Sequence, residues 1–211
     1  MRGKVFLFDM DGTLIDSNGV IEEIWHRWAG RHGIDGHAVL AKAHGRQAAE
    51  TIRLFAPGGV DQEAETAWVN EQAARETKGI KATPGAKAFL AQLEPYEWAI
   101  VTSAKRFIAE QWLAAAGLPQ PRTLIAAEDV SRSKPDPEGY RKAAQHLGCA
   151  AADAIVFEDA QAGLEAGRQA GAKVVGIGSA SHLSHLADSW ISSFRQVDPL
   201  RDPSGGFRLQ F

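Results

Sequence analysis

Two carboxylates separated by one residue, Asp9 and Asp11 in Asp9-Met10-Asp11-Gly12-Thr13, directly follow the short hydrophobic run Lys4–Phe8. On an extended backbone, residues two apart face the same side. The pair can therefore share a divalent cation, a hard ion that prefers oxygen ligands. Gly12 permits the sharp turn such a loop needs. The plain alternative is a solvated acidic turn. A second pair, Glu158-Asp159, follows the buried-looking run Ala154–Phe157. Asp159 also has a structural alternative, as the N-cap of a helix. Four carboxylates gathered at one sheet edge repel each other strongly without a cation, which argues for metal.

A cationic, phosphate-binding reading needs donors as well. Thr102-Ser103 ends the run Trp98–Val101, where hydroxyls and backbone N–H groups can hold phosphate oxygens at a helix start. An N-cap is the alternative there, and the two roles are compatible. Lys134 stands in Ser-Lys-Pro-Asp-Pro, a loop stiffened by Pro135, with Pro137 suited to a helix start. By itself it is a solvated loop lysine; it gains meaning only beside the other three features.

The elements that must position these residues read clearly. Short apolar runs at Lys4–Phe8, Trp98–Val101, Thr123–Ala126, Ala154–Phe157 and Lys173–Ile177 alternate with helical patterns at Gly85–Leu93, Lys105–Ala116, Glu138–Leu147 and Gln161–Ala170. This alternation predicts an α/β fold, a doubly wound parallel sheet, with ligands beyond the carboxyl ends of the strands. The interval from Ser17 to Lys81 breaks the pattern with helical stripes. Val20, Ile21, Ile24, Trp25 and Trp28 follow a Ser17 cap, then come His37–Lys42, Gln47–Phe55, and a helix from Asp61 to Lys78 closed by Gly79. A helical cap inserted after the first strand is the simplest account, giving a core of residues 1–16 and 82–211 and a cap of residues 17–81. Placed so, the cap brings His44, Gly45, Arg46 and Gln47 over the site; the alternative is an exposed interhelical turn. Trp25 and Trp28 read as cap core, His26 as solvent-facing, and Arg106 as either a phosphate neighbour or a helix decoration. Phe207–Phe211 predicts a turn and a short edge strand.

Composition narrows the class. The chain has 211 residues, 45% apolar and 23% charged, with net charge −3 and no Lys/Arg cluster, so nucleic acid is not an expected partner. No stretch has the length of a membrane span or a signal segment, and the single Cys149 cannot form an internal disulfide; a cytoplasmic location and a monomer are expected. His182 and His185 lie three apart in a loop and do not form a metal-ligand spacing.

Taken in order and spacing, Asp9-x-Asp11-Gly-Thr-Leu, Thr102-Ser103, Lys134-Pro135 and Glu158-Asp159 resemble the haloacid dehalogenase-like hydrolase superfamily over nearly the whole chain. The helical insertion resembles that family's C1-type cap, and the core its Rossmannoid domain. HGRQ, WAIVTSA, SKPDPEGY and FEDAQAGLEAG are similar to segments of sugar- and polyol-phosphate phosphatases, including hexitol and glycerol-3-phosphate phosphatases. The resemblance implies Asp9 as nucleophile forming an aspartyl-phosphate and Asp11 as general acid and then base. It implies Mg²⁺ held by Asp9, Asp11 and Asp159 with help from Glu158. Thr102, Ser103 and Lys134 would hold phosphate oxygens, and Gly45 and Arg46 would meet a small phosphorylated metabolite.

Three rivals share the fold. β-Phosphoglucomutase-like enzymes carry a cap histidine at the position of Ile21, and a phosphate-gripping cap arginine near Ala48, with Arg46 close by. Both departures favour hydrolysis. Haloacid dehalogenases need no metal and have no comparable role for Asp11. A non-catalytic metabolite-binding module would be marked by loss of Asp9 or Asp11, and both are present.

Overall fold

The computed structural model describes residues 1–203 and 205–211. The chain opens with β1 (Arg2–Gly3), β2 (Val5–Phe8) and β3 (Ile15–Asp16). Four helices follow, α1 (Asn18–His32), α2 (Gly36–Ala43), α3 (Ala48–Phe55) and α4 (Gln62–Arg75), and then β4 (Lys81–Ala82). Next come α5 (Ala86–Leu90), β5 (Trp98–Val101), α6 (Arg106–Ala115), β6 (Leu124–Ile125) and α7 (Glu138–His146). The remainder is β7 (Ala154–Glu158), α8 (Gln161–Ala170), β8 (Lys173–Ile177), β9 (Ser189–Ile191), β10 (Asp198–Arg201) and β11 (Phe207–Gln210).

A strand with no polar side chain leaves no face for water, so it must be covered on both sides. The main sheet meets that demand: its six strands run β6-β5-β2-β7-β8-β9, every neighbouring pair parallel. Alternation along β2 sends Phe6 and Phe8 to one face, against Phe89, Trp112 and Phe157. It sends Val5 and Leu7 to the other, against Tyr140, Val156 and Leu164. α5 and α6 cover the first face; α7 and α8 cover the second. In register, Phe8 pairs with Ile100 on one side and Phe157 on the other. The residues just beyond these three strands therefore leave the sheet at one edge.

β3 and β4 pair antiparallel, Ile15 with Ala82 and Asp16 with Lys81. The four-helix region thus departs from and returns to the core through one narrow ribbon. It has its own apolar cluster, with Ile24, Trp28, Val39, Ile52 and Val69 buried together. Asp61 caps α4 as its sequence suggests, accepting from the backbone N–H groups of Glu63 and Ala64.

Several details differ from the sequence reading. Ser17 precedes α1 but its backbone has helical rather than extended angles and it makes no side-chain cap bond; its hydroxyl donates to Asp11. α4 stops at Arg75 instead of reaching Lys78, as Glu76 turns extended toward β4. β9 adds a sixth strand to the five expected. The tail forms a hairpin of β10 and β11, which pairs on with β1, and it buries Pro199, Phe207 and Leu209. Among the described residues, no helix is long and apolar enough to cross a membrane.

Candidate active site

The backbone at the end of β2 turns at once. Gly12 donates its N–H to the Ile15 carbonyl at 2.8 Å and adopts φ 79°, a left-handed conformation that favours glycine. A Cβ on Gly12 would also overlap the Asp159 carboxylate. This glycine therefore serves both the turn and the close approach of the β7 loop. Thr13 completes the join, its hydroxyl donating to Asp159 Oδ1 at 3.2 Å.

Asp9, Lys134, Thr102 and Glu158 are all buried polar side chains. Lys134 Nζ lies 2.5 Å from Asp9 Oδ1, 2.6 Å from Glu158 Oε1 and 3.0 Å from the Val101 carbonyl oxygen. An ammonium has three protons, and each one here has an acceptor. Glu158 is saturated in turn. Oε1 also accepts from the Tyr140 hydroxyl at 2.9 Å, and Oε2 accepts from the N–H groups of Asp159 and Ala160 at 3.0 and 3.2 Å. A Cβ on Gly163 would overlap this carboxylate, so the glycine leaves the space that Glu158 occupies against α8.

Asp9, Glu158 and Asp159 each offer an oxygen atom, and these atoms lie within 4.8 Å of one another. Burial, then the Glu158 charge, pushes Asp9 well above the ordinary carboxylate range, against the pull of Lys134. Burial and Glu158 push Asp159 up to about 8. Asp11 is pushed up to about 6 by burial, opposed by the Ser17 hydroxyl, which donates to it at 2.7 Å, and by Lys134. For Lys134, burial lowers the value, but the adjacent Asp9 and Glu158 carboxylates outweigh it and raise it above the lysine range. One fixed cation thus faces four carboxylates, and the raised values of Asp9, Asp11 and Asp159 mark ionisation that a further cation would favour.

The helical region closes over this edge through three hydrogen bonds. Ser103 Oγ donates to the Gly45 carbonyl at 2.8 Å, Gln47 Nε2 to the Ala127 carbonyl at 3.0 Å, and Trp112 Nε1 to the Ala73 carbonyl at 3.0 Å. Between the two layers lies a cavity of about 110 Å³ that reaches Asp9, Asp11 and Asp159. Arg46 and Asn70 supply polar groups to its wall, and Ile21, Trp25 and Ile108 much of the apolar remainder. A wider cleft of about 540 Å³, lined in part by Asn18, Glu22, His44 and Ser179, also reaches Asp159.

The structure brings Asp9, Asp11, Lys134, Glu158 and Asp159 together, with Ser103, Gly45 and Arg46 at the cavity wall. Neither proposed N-cap forms. Thr102 lies ahead of α6, whose cap position is Lys105, and its hydroxyl accepts from the Ala104 N–H; Asp159 makes no cap bond to α8. Trp25, expected only as cap core, is buried and also lines the cavity. Arg106 is not among the residues lining the cavity and is paired with Asp129 at 2.5 Å. The sequence reading passed over Tyr140 and the Ser17–Asp11 contact. Tyr140 falls within the helical pattern Glu138–Leu147, where nothing local marks its hydroxyl, and the Ser17–Asp11 contact is masked by an ordinary capping pattern.

Residues 6–177 match the family model of the haloacid dehalogenase-like hydrolases. Over 216 aligned positions the chain is 40% identical to hexitol phosphatase A of Escherichia coli (strain K12), covering 100% of both proteins. It is also 40% identical to validoxylamine A 7'-phosphate phosphatase of Streptomyces hygroscopicus subsp. limoneus, over 88% of this chain and 91% of that relative. β-Phosphoglucomutase from Clostridium difficile superposes with a TM-score of 0.81 over 93% of each chain at 20% identity, a likeness of fold.

Proposed function

The chain belongs to the haloacid dehalogenase-like hydrolases and is one of their phosphoric monoester hydrolases, and on that premise we propose that it releases phosphate from the phosphomonoester of a small sugar or polyol. The observation that carries this reading is the cation fixed against a carboxylate, Lys134 Nζ at 2.5 Å from Asp9 Oδ1 in a buried pocket. A buried carboxylate facing a dianionic ester needs such a charge to approach it at all.

In this reading Asp9 attacks phosphorus in line, and the ester oxygen leaves as Asp9 takes the phosphoryl group. Asp11 gives its proton to the departing oxygen and then accepts one from the water that frees the phosphate. A group held near 6 is suited to both halves at neutral pH. Lys134 orients Asp9 and meets the charge spread over the equatorial oxygens, with Thr102 and Ser103 beside it. The helical region keeps bulk water from the ester while the bond breaks.

The donor set fits a hard divalent cation such as Mg²⁺: oxygens of Asp9, Glu158 and Asp159 converge within 4.8 Å, and burial penalises Asp9 and Asp159 as bare anions. Asp9, Asp159 and the main-chain carbonyl of Asp11 would hold it. Glu158, already serving four protein donors, would support that set from beside it. Bound there, the ion supplies charge neutralisation for the phosphoryl oxygens.

Hydrolysis, not intramolecular transfer, is favoured by Ile21, which presents no acid–base group at the cavity wall; Arg46, beside Ala48 on that wall, is taken here as a contact for the leaving group. The full-length likeness to a hexitol phosphatase supports a polyol leaving group, which Arg46 and Asn70 could read. Phosphate release from a panel of hexitol, hexose and glycerol phosphates, with Mg²⁺ and with chelator, tests this. Metal-dependent turnover of at least one polyol or sugar ester is expected; a panel with no turnover contradicts the proposal.

A further inference from the structure

Tyr140 on α7 is fully buried, and none of the roles above uses it. Its ring packs in the apolar cluster with Val101, Ile125 and Leu164, a place where phenylalanine would fill the same volume. Its hydroxyl nevertheless donates to Glu158 Oε1 at 2.9 Å, the same oxygen that takes Lys134 Nζ at 2.6 Å. The ammonium is shared between that oxygen and Asp9 Oδ1, so its position is a balance between two carboxylates. A second donor on Oε1 occupies part of that oxygen's accepting capacity and weakens its hold on the lysine. The Tyr140 ring, 5.2 Å from Nζ, also closes the side toward α7.

We infer that Tyr140 is a positioning residue that acts through Glu158 to keep the Lys134 ammonium on Asp9. The inference rests on the phosphatase reading for its effect on rate, but the placement of the ammonium stands apart from it.

The test is Tyr140→Phe in the full chain. With p-nitrophenyl phosphate and Mg²⁺, kcat is expected to fall about three- to tenfold, the size of one hydrogen bond, while KM stays within about twofold. In a Glu158→Gln background the same substitution should cost no further rate. In metal-free protein, the ¹H–¹⁵N signal of the Lys134 ammonium, identified by its absence in Lys134→Arg, should shift or exchange faster in Tyr140→Phe. A parental kcat, an equal loss in both backgrounds, or an unchanged ammonium signal would overturn the inference. If the parent hydrolyses no phosphomonoester, the phosphatase reading fails, and the ammonium signal alone decides the placement.

Discussion

Gly163→Ala places a methyl group where the Glu158 carboxylate now sits, without touching any residue proposed to act on substrate. Elsewhere in a helix, the change from glycine to alanine stabilises by up to about 1 kcal/mol. Here the carboxylate must move, and it is held by Lys134, Tyr140 and two backbone N–H groups. Losing even one charge-assisted bond of that set costs about 1.5–3 kcal/mol. The net expectation is a loss of about 1–2 kcal/mol, which for a chain of this size lowers Tm by about 2–8 °C. Lys134 moves with its partner, and a misplacement of about 1 Å near a reacting group can cost on the order of 10²-fold in rate. Thermal unfolding followed by circular dichroism, with kcat measured well below Tm, reads both effects. Gly167→Ala is the control: its methyl would meet Val174 Cγ2 at 3.0 Å and Val156 Cγ1 at 3.2 Å, apolar packing alone, so stability should fall while kcat holds. A Gly163→Ala protein with parental Tm and parental kcat would refute the placement of Glu158.

Two further outcomes follow from the same structure. Gly30 lies exposed in α1 with open space where a Cβ would stand, so Gly30→Ala should stabilise by about 0.5–1 kcal/mol, seen as a Tm rise of about 1–4 °C. Asp159 is held up to about 8 and Asp9 well above its ordinary range when no cation is bound. For a carboxylate raised in the folded state, the stabilising contribution is full below the unfolded value of about 4 and is lost as pH rises through the folded one. The chelator-treated protein should therefore lose Tm between about pH 5 and 8, and Mg²⁺ should raise Tm more at pH 8 than at pH 6. An equal effect of Mg²⁺ at both pH values would count against cation binding at these carboxylates.

The parallel core was legible because Val5–Phe8, Trp98–Val101 and Ala154–Phe157 carry no polar side chain, a pattern only a doubly covered strand tolerates. The acidic pairs were legible because each sits one residue past such a run. Ser189–Ile191 escaped notice: three residues with one fully buried side chain have too short a pattern to separate from a loop. Ser17 read as a cap because serine before an apolar helical stripe does cap most often; only the folded loop brings Asp11 within 2.7 Å of it. In sequence Gly163 and Gly171 are alike, one within and one just after the helical pattern Gln161–Ala170. In the fold, Gly163 makes room for a carboxylate, whereas Gly171 ends α8 in a left-handed conformation with open space around it. Such differences depend on residues far apart in the chain, which local pattern does not record.

Asp9 is the residue on which the proposed chemistry turns. Single-turnover reaction of the parent with a hydrolysed phosphomonoester, quenched and trapped with borohydride, should convert Asp9 to homoserine through its phosphorylated carboxyl, as read by peptide mass spectrometry. Asp9→Asn should show neither the converted residue nor phosphate release. Trapping at another residue, or phosphate release by Asp9→Asn at the parental rate, would contradict the nucleophile assignment.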